Sequence, residues 1–185
     1  MKNYFIQYKP FLLFLGKFFL SYLILTFLYQ IYLNQFDANK FEIDGFTKSV
    51  ATQTETVLTW FDSQSYSAPH LSEPSMKIFY HNKYVSRIIE GCNALSVIIL
   101  FAAFVIAFSG KLKHTLVFIV LGSLIIHVLN VIRIALLSVA MFKFPAYEHI
   151  LHGVIFPLFI YSVVFLLWVI WVNKYSFYAT ETAKK

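Results

Sequence analysis

The chain has 185 residues, of which 59% are hydrophobic and only 13% charged, against roughly 25% charged in ordinary soluble domains. That balance excludes a water-soluble fold, because too few polar groups exist to cover the apolar surface, and the length fits one folding unit. The net charge of +6 does not indicate nucleic-acid binding, since the basic residues gather at the ends of apolar runs and form no stripe interleaved with aromatics.

The first ten residues carry Lys2 and Lys9 and no acid, and residues 11–33 form the first apolar span. About 20 such residues suffice to cross the hydrocarbon core. The run is long for the apolar part of a cleaved signal peptide and lacks a small-residue cleavage site after it, so it reads as a retained helix. Residues 34–86 differ in kind, setting Asp37, Glu42, Asp44, Glu55, Asp62 and Glu73 against Lys40, Lys48, Lys77 and Lys83. Within them, 46–61 is amphipathic enough for a helix at the membrane interface, and 62–77 has a loop-like mixture of Ser, Pro, His and Asp. Further spans follow at about 87–108, 115–142 and 149–172, joined by the turns 109–114 and 143–148. The tail 173–185 carries Lys174, Lys184 and Lys185.

The expectation is therefore an all-α, polytopic integral membrane bundle of about four transmembrane helices, in contact with membrane lipids. Its parts are a cytoplasmic amino end with the first helix (1–33), one extracytoplasmic loop (34–86), a three-helix core (87–172) and a cytoplasmic tail (173–185). The sidedness follows from the excess of lysine at the amino end, the 109–114 turn and the tail, opposite an acid-leaning loop. Phe (21) and Tyr (12) are abundant, as suits lipid-facing surfaces and interfacial belts.

Ionisable groups within spans cost roughly 2.5–3.5 kcal/mol for a central Arg on insertion scales, so each needs a reason. Arg133 lies well inside the third span, with Asn130 at i−3 on nearly the same face. Such an Arg can serve merely to tie helices together. It can also line a polar groove and stabilise a developing anion. Cys92, the one cysteine, opens the second span among Glu90, Gly91, Asn93 and Ser96. A lone Cys allows no intramolecular disulfide and no cysteine-based metal cluster. His149 and His152 open the fourth span at i, i+3, without an H-E-x-x-H pattern, so no metal and no cofactor is expected.

The lysine-based topology puts Cys92, Arg133 and His149 in one outward-facing layer. A thiol needs a base or a nearby cation to become a useful nucleophile, and acyl transfer needs a donor for the oxyanion. Cys92 and Arg133 with either His149 or His152 meet that need, and Asn130, Glu90, Asn93 and His152, where it is not the catalytic histidine, are expected to contact substrate. A small transporter would show repeated polar interruptions or internal symmetry, and neither is visible. A non-enzymatic membrane subunit of an export or surface-assembly system is the alternative, but it leaves the shared depth of the three residues unexplained.

Over residues 84–172 the chain resembles the exosortase/archaeosortase family of membrane cysteine transpeptidases. The segment Glu90–Leu95 is similar to that family's E-x-C-x-x-L motif, Asn130–Arg133 to its N-x-x-R motif, and Glu148–Phe156 to its acid-H-x-x-x-G-x-x-F motif. The resemblance implies that Cys92 is the nucleophile, Arg133 the proton donor or oxyanion stabiliser, and His149, four residues before Gly153, the third member. It implies substrates that are exported proteins with a carboxy-terminal sorting signal: a short motif, a transmembrane helix and a basic end. Many relatives have about twice the spans, so this chain resembles a compact member, and the 34–86 segment matches nothing recognisable in them.

Overall fold

The computed structural model describes residues 2–177; Lys184 and Lys185, counted above for sidedness, lie outside the described residues. Helix α1 (Lys2–Leu33) comes first, followed by α2 (Gly45–Thr59) and three strands, β1 (Tyr66–Pro69), β2 (Met76–Tyr80) and β3 (Lys83–Ile88). Then come α3 (Leu95–Ala107), α4 (Leu112–Lys143), α5 (Glu148–Ile150) and α6 (Phe156–Ile170). A π-helical turn, Leu151–Ile155, joins α5 to α6, and a second one, Trp171–Tyr175, follows α6.

Three stretches are long and apolar enough to cross a membrane: Tyr8–Leu33, Leu112–Lys143 and Pro145–Tyr175. The fourth apolar helix, α3, has only 13 residues. The chain is thus a helical, multi-pass membrane protein carrying one small sheet. The second span begins later than hydropathy suggested, because residues 83–88 pair with β2 in place of continuing the helix. Their turn is the cause. His81 and Asn82 have φ of 51° and 58°, the left-handed pair that a tight two-residue hairpin needs. Ile88 and Ile89, at and just after the end of the strand, read as the start of the apolar run that α3 continues.

The amphipathic stretch is a helix, with Asp44 as its cap: the carboxylate accepts a hydrogen bond from the Thr47 N–H at 2.9 Å. Such a cap satisfies one of the free donors at a helix start. The helix buries Thr47, Val50, Ala51, Thr54 and Leu58 instead of lying alone at an interface. Glu55 reaches from it to β1, accepting from the Ser67 N–H (2.8 Å) and hydroxyl (2.6 Å). The sheet is antiparallel in the order β1-β2-β3. On β2, Met76, Ile78 and Tyr80 turn to the core at alternate positions, as a period of two requires.

Two hydrophobic cores result, and α4 belongs to both. One joins Ile43, Val50 and Leu58 to Ile78, Ile88, Val131, Ile134 and Ala135. The other joins Phe101 and Val105 to Ile126, Val164 and Trp171. At the far end of this second core the amino-terminal part of α1, the 109–111 turn and the end of the last helix meet. There Lys17 Nζ donates to Ser109 Oγ at 2.8 Å, and Gly110 bridges to Ser176.

Gly122 sets the α3–α4 approach, since a Cβ there would stand 2.3 Å from Cζ of Phe101, a ring with no exposed surface. Overpacking of this kind costs roughly 1–3 kcal/mol. Gly122→Ala should therefore lower the thermal midpoint of the detergent-solubilised protein in a fluorescence-detected size-exclusion melt. Gly16→Ala, whose Cβ meets nothing within 4 Å, should leave it unchanged or raise it slightly. Equal midpoints for the two variants would contradict the close approach.

Candidate active site

Cys92 sits in a short 3₁₀ turn, Glu90–Cys92, between β3 and α3. Polar bonds from three separate elements hold that turn. The Tyr29 hydroxyl on α1 donates to Glu90 Oε1. The Asn93 amide donates to Thr47 Oγ1 on α2 at 3.0 Å, and its own oxygen accepts from the Leu95 N–H at 2.9 Å. The Asn130 amide on α4 donates to the carbonyl of Cys92 itself at 2.9 Å. Thr47, Asn93 and Asn130 are all fully buried, and leaving any of their polar atoms unpaired would cost about 1–3 kcal/mol. Ala94, which follows, has φ of 70°, a left-handed conformation that costs a non-glycine residue roughly 1–2 kcal/mol. Backbone strain and buried amides thus meet beside the thiol.

Arg133 is half-buried and lies next to this turn. One guanidinium nitrogen donates to Asn130 Oδ1 at 3.2 Å, so Asn130 links Arg133 to the Cys92 backbone. Its Nε is buried and has no hydrogen-bond partner among the described residues. An unpaired, partly desolvated cationic donor is the group that an oxyanion would satisfy.

Both residues line a cleft of about 490 Å³, walled by Tyr84–Ile88 of β3, by Ile134, Leu137 and Met141 of α4, and by Glu148 and His152. His152 therefore shares the cleft with Cys92 and Arg133. His149 does not line it. His149 opens on an adjoining depression formed with Pro145, Ala146, Glu148, His152 and Gly153, so Glu148 and His152 border both spaces. Of the other expected contact residues, Asn130 and Asn93 lie behind the wall with no exposed surface, and Glu90 is engaged by Tyr29. Neither Gly91 nor Gly153 has an atom within 4 Å of where a Cβ would stand. Sequence reading missed Tyr29, Thr47 and β3 as parts of the site. No motif marks them, and only the fold brings the 34–86 segment against the Cys92 turn. No group of three or more His, Cys, Asp or Glu able to hold a metal occurs among the described residues.

A single thiol, a guanidinium and two histidines gathered at one end of a helical membrane bundle define the class: a membrane protein with a thiol-centred polar site. The family follows from comparison. The sequence model of the transmembrane exosortases matches residues 10–172, and the chain belongs to that family, whose general role is that of membrane transpeptidases. The match also takes in the 34–86 segment. No curated protein and no solved structure matches the chain significantly.

The clamp on the Cys92 turn has a measurable consequence. Thr47→Val keeps the side-chain shape but strands the buried Asn93 amide, at a cost of about 1–3 kcal/mol. The turn should loosen, and Cys92 should react faster with a small maleimide than in the wild-type protein. Thr47→Ser keeps the acceptor and should react at the wild-type rate. Identical rates for all three proteins would show that the bond does not position the thiol.

Proposed function

We propose that this protein is a thiol transpeptidase of the cell membrane. It cuts the carboxy-terminal sorting signal of exported proteins and passes the new carboxyl end to an acceptor. The observation that carries this reading is the cleft that Cys92 and Arg133 share, both on positions that match the family's motifs. Both termini lie in the cytoplasm and the cleft faces outward. Lys17, Lys111 and Lys113, near the end where Lys17 meets Ser109, support that orientation by the positive-inside rule.

In the mechanism, the thiol of Cys92 gives up its proton and its sulfur attacks the carbonyl carbon of the scissile peptide bond. Arg133 donates to the oxyanion of the tetrahedral intermediate through donors not used by Asn130. The intermediate collapses with loss of the amine, which takes a proton and leaves with the transmembrane helix. An acyl-thioester remains on Cys92, and an acceptor nucleophile resolves it. Such covalent catalysis divides one hard step into two easier ones.

The proton carrier is His149, which stands four residues before Gly153 as the family's motif requires. His152, on the cleft wall, contacts the substrate chain. His149→Ala should then abolish processing, while His152→Ala leaves a measurable fraction. The opposite pattern moves the proton to His152 and leaves the site otherwise intact.

Cys92→Ala should reach normal abundance, because the change removes one small sulfur from a half-exposed position, yet substrate should accumulate with its helix still attached. Arg133→Lys keeps the charge but loses the planar fork and should fail almost as fully as Arg133→Ala. A scaffolding protein would instead tolerate Cys92→Ala and lose abundance with Arg133→Ala. Immunoblots of substrate size beside enzyme level read both, and normal cleavage by well-expressed Cys92→Ala protein would sink the thiol mechanism.

Orientation has its own test in intact cells, with single cysteines in a Cys92→Ala background. An impermeant maleimide should label a cysteine at Leu71, which is 89% exposed, and spare one at Lys113 in the opposite turn. Labelling at Lys113 alone would invert the topology.

A further inference from the structure

The sheet ends at β3, which pairs with β2 on one side and, among the described residues, with no strand on the other. All but the first residue of this strand, Tyr84–Ile88, line the cleft that holds Cys92 and Arg133. The chain then continues through Ile89, still extended at φ −101° and ψ 169°, into the Cys92 turn. The open edge and the nucleophile therefore border one space. Among the described residues, no backbone hydrogen bond outside the sheet involves residues 83–88.

Proteins commonly protect free edges with proline, bulges or covering elements. The other edge strand, β1, is four residues long and ends at Pro69. β3 has no proline and carries its one bulge opposite Ile78 and Phe79. Tyr80 and Lys83 pair across the two-residue turn. In the antiparallel pattern the next residue, Tyr84, then turns its N–H and C=O away from β2. One side of the strand is anchored to α4, where the hydroxyls of Ser86 and Ser138 meet at 2.8 Å. Arg87 is already paired with Glu73, which leaves recognition along this edge to the main chain.

We propose that the substrate adds the extended segment just before its transmembrane helix to β3 as a fourth strand, parallel to β3, so that its last residues reach Cys92. The proposal rests on the acyl-transfer reading above. Its direction follows from connectivity: β3 runs from an exposed turn down to α3, and a substrate entering the membrane at its carboxyl end must run the same way. The cleft volume of about 490 Å³ fits a few extended residues, whereas a helix of 10 Å diameter would fill it in about one turn. Strand addition draws affinity from main-chain bonds and specificity from alternate side chains. The sorting segment should accordingly tolerate many side chains away from the cut.

The test replaces Tyr84, Arg87 or, as a control on the opposite edge, Ser67 with photoreactive benzoylphenylalanine in full-length Cys92→Ala protein in cells. The probe is the uncut exported protein that this variant retains. Tyr84 and Arg87 should both capture the segment before the helix, with the Arg87 adduct nearer the cleavage point, and Ser67 should capture none. Tyr84→Pro in the active enzyme removes the outward donor and should slow cleavage about fivefold, the worth of one hydrogen bond, relative to Tyr84→Phe, which keeps that donor. An inverted adduct order, equal capture at Ser67, or no capture at Tyr84 and Arg87 while uncut protein accumulates would overturn the strand proposal and leave the enzyme reading standing. Absence of any uncut protein in Cys92→Ala cells would overturn the enzyme reading and the strand proposal together.

Discussion

The buried amide of Asn130 is the point at which the molecule's parts become a site. Its nitrogen holds the Cys92 carbonyl at 2.9 Å and its oxygen holds the Arg133 guanidinium at 3.2 Å. One side chain with no exposed surface thus fixes the backbone of the thiol turn and the direction of the cation together. The amide is strongly committed, because each of its two ends, left unpaired at that depth, would cost about 1–3 kcal/mol. Helix α4 carries it between the two cores, with Ile126 in one and Val131 in the other. Packing in both cores therefore sets where Asn130 stands.

Depth explains why a soluble-looking segment belongs to this fold. The 13 residues of α3 rise only about 20 Å. Helix α1 passes from Lys17, bonded to Ser109, to Tyr29, bonded to Glu90, over the same interval, about 18 Å. Both distances fall short of the roughly 30 Å hydrocarbon thickness of an ordinary bilayer. The Cys92 turn is irregular backbone at the end of these intervals, and its carbonyl is satisfied by Asn130, as such backbone needs wherever water is scarce. Helix α2 and the sheet also hold it. Thr47 bonds to Asn93 beside the turn, and Cys92 packs against the core around Ile88.

This is also why the fold was legible in one part of the sequence and hidden in another. Residues 11–33, 115–142 and 149–172 announce themselves by length and apolar content, which depend on nothing but local composition. Cys92, Arg133 and His149 stood out because polar groups are costly among such residues, and their motifs carried the family resemblance. The short second helix was misjudged because Ile88 and Ile89, ahead of the Cys92 turn, extend its apolar run toward the amino end. Strand or helix is decided there by a turn at His81 and Asn82 and by a partner strand several residues away. Thr47 and Tyr29 were invisible for a related reason. A threonine on an amphipathic helix and a tyrosine near the end of a span are ordinary residues until the tertiary fold brings Asn93 and Glu90 to them.

The strain at Ala94 fits the same logic. A residue at φ 70° without glycine's freedom persists only where its surroundings over-determine it. Here they do. Asn93, one residue before, is bonded to Thr47 and to the Leu95 N–H, and Ala94 itself is packed among Phe101 and its neighbours. With Ala94 left-handed between the turn and α3, Cys92 lines the cleft while Asn93 is buried. A relaxed helical start at this point would carry Cys92 round with the helix and out of register with Arg133. The buried amides and the packing of α3 offset the strain, and in return they hold the thiol at the end of β3, where an extended chain can reach it.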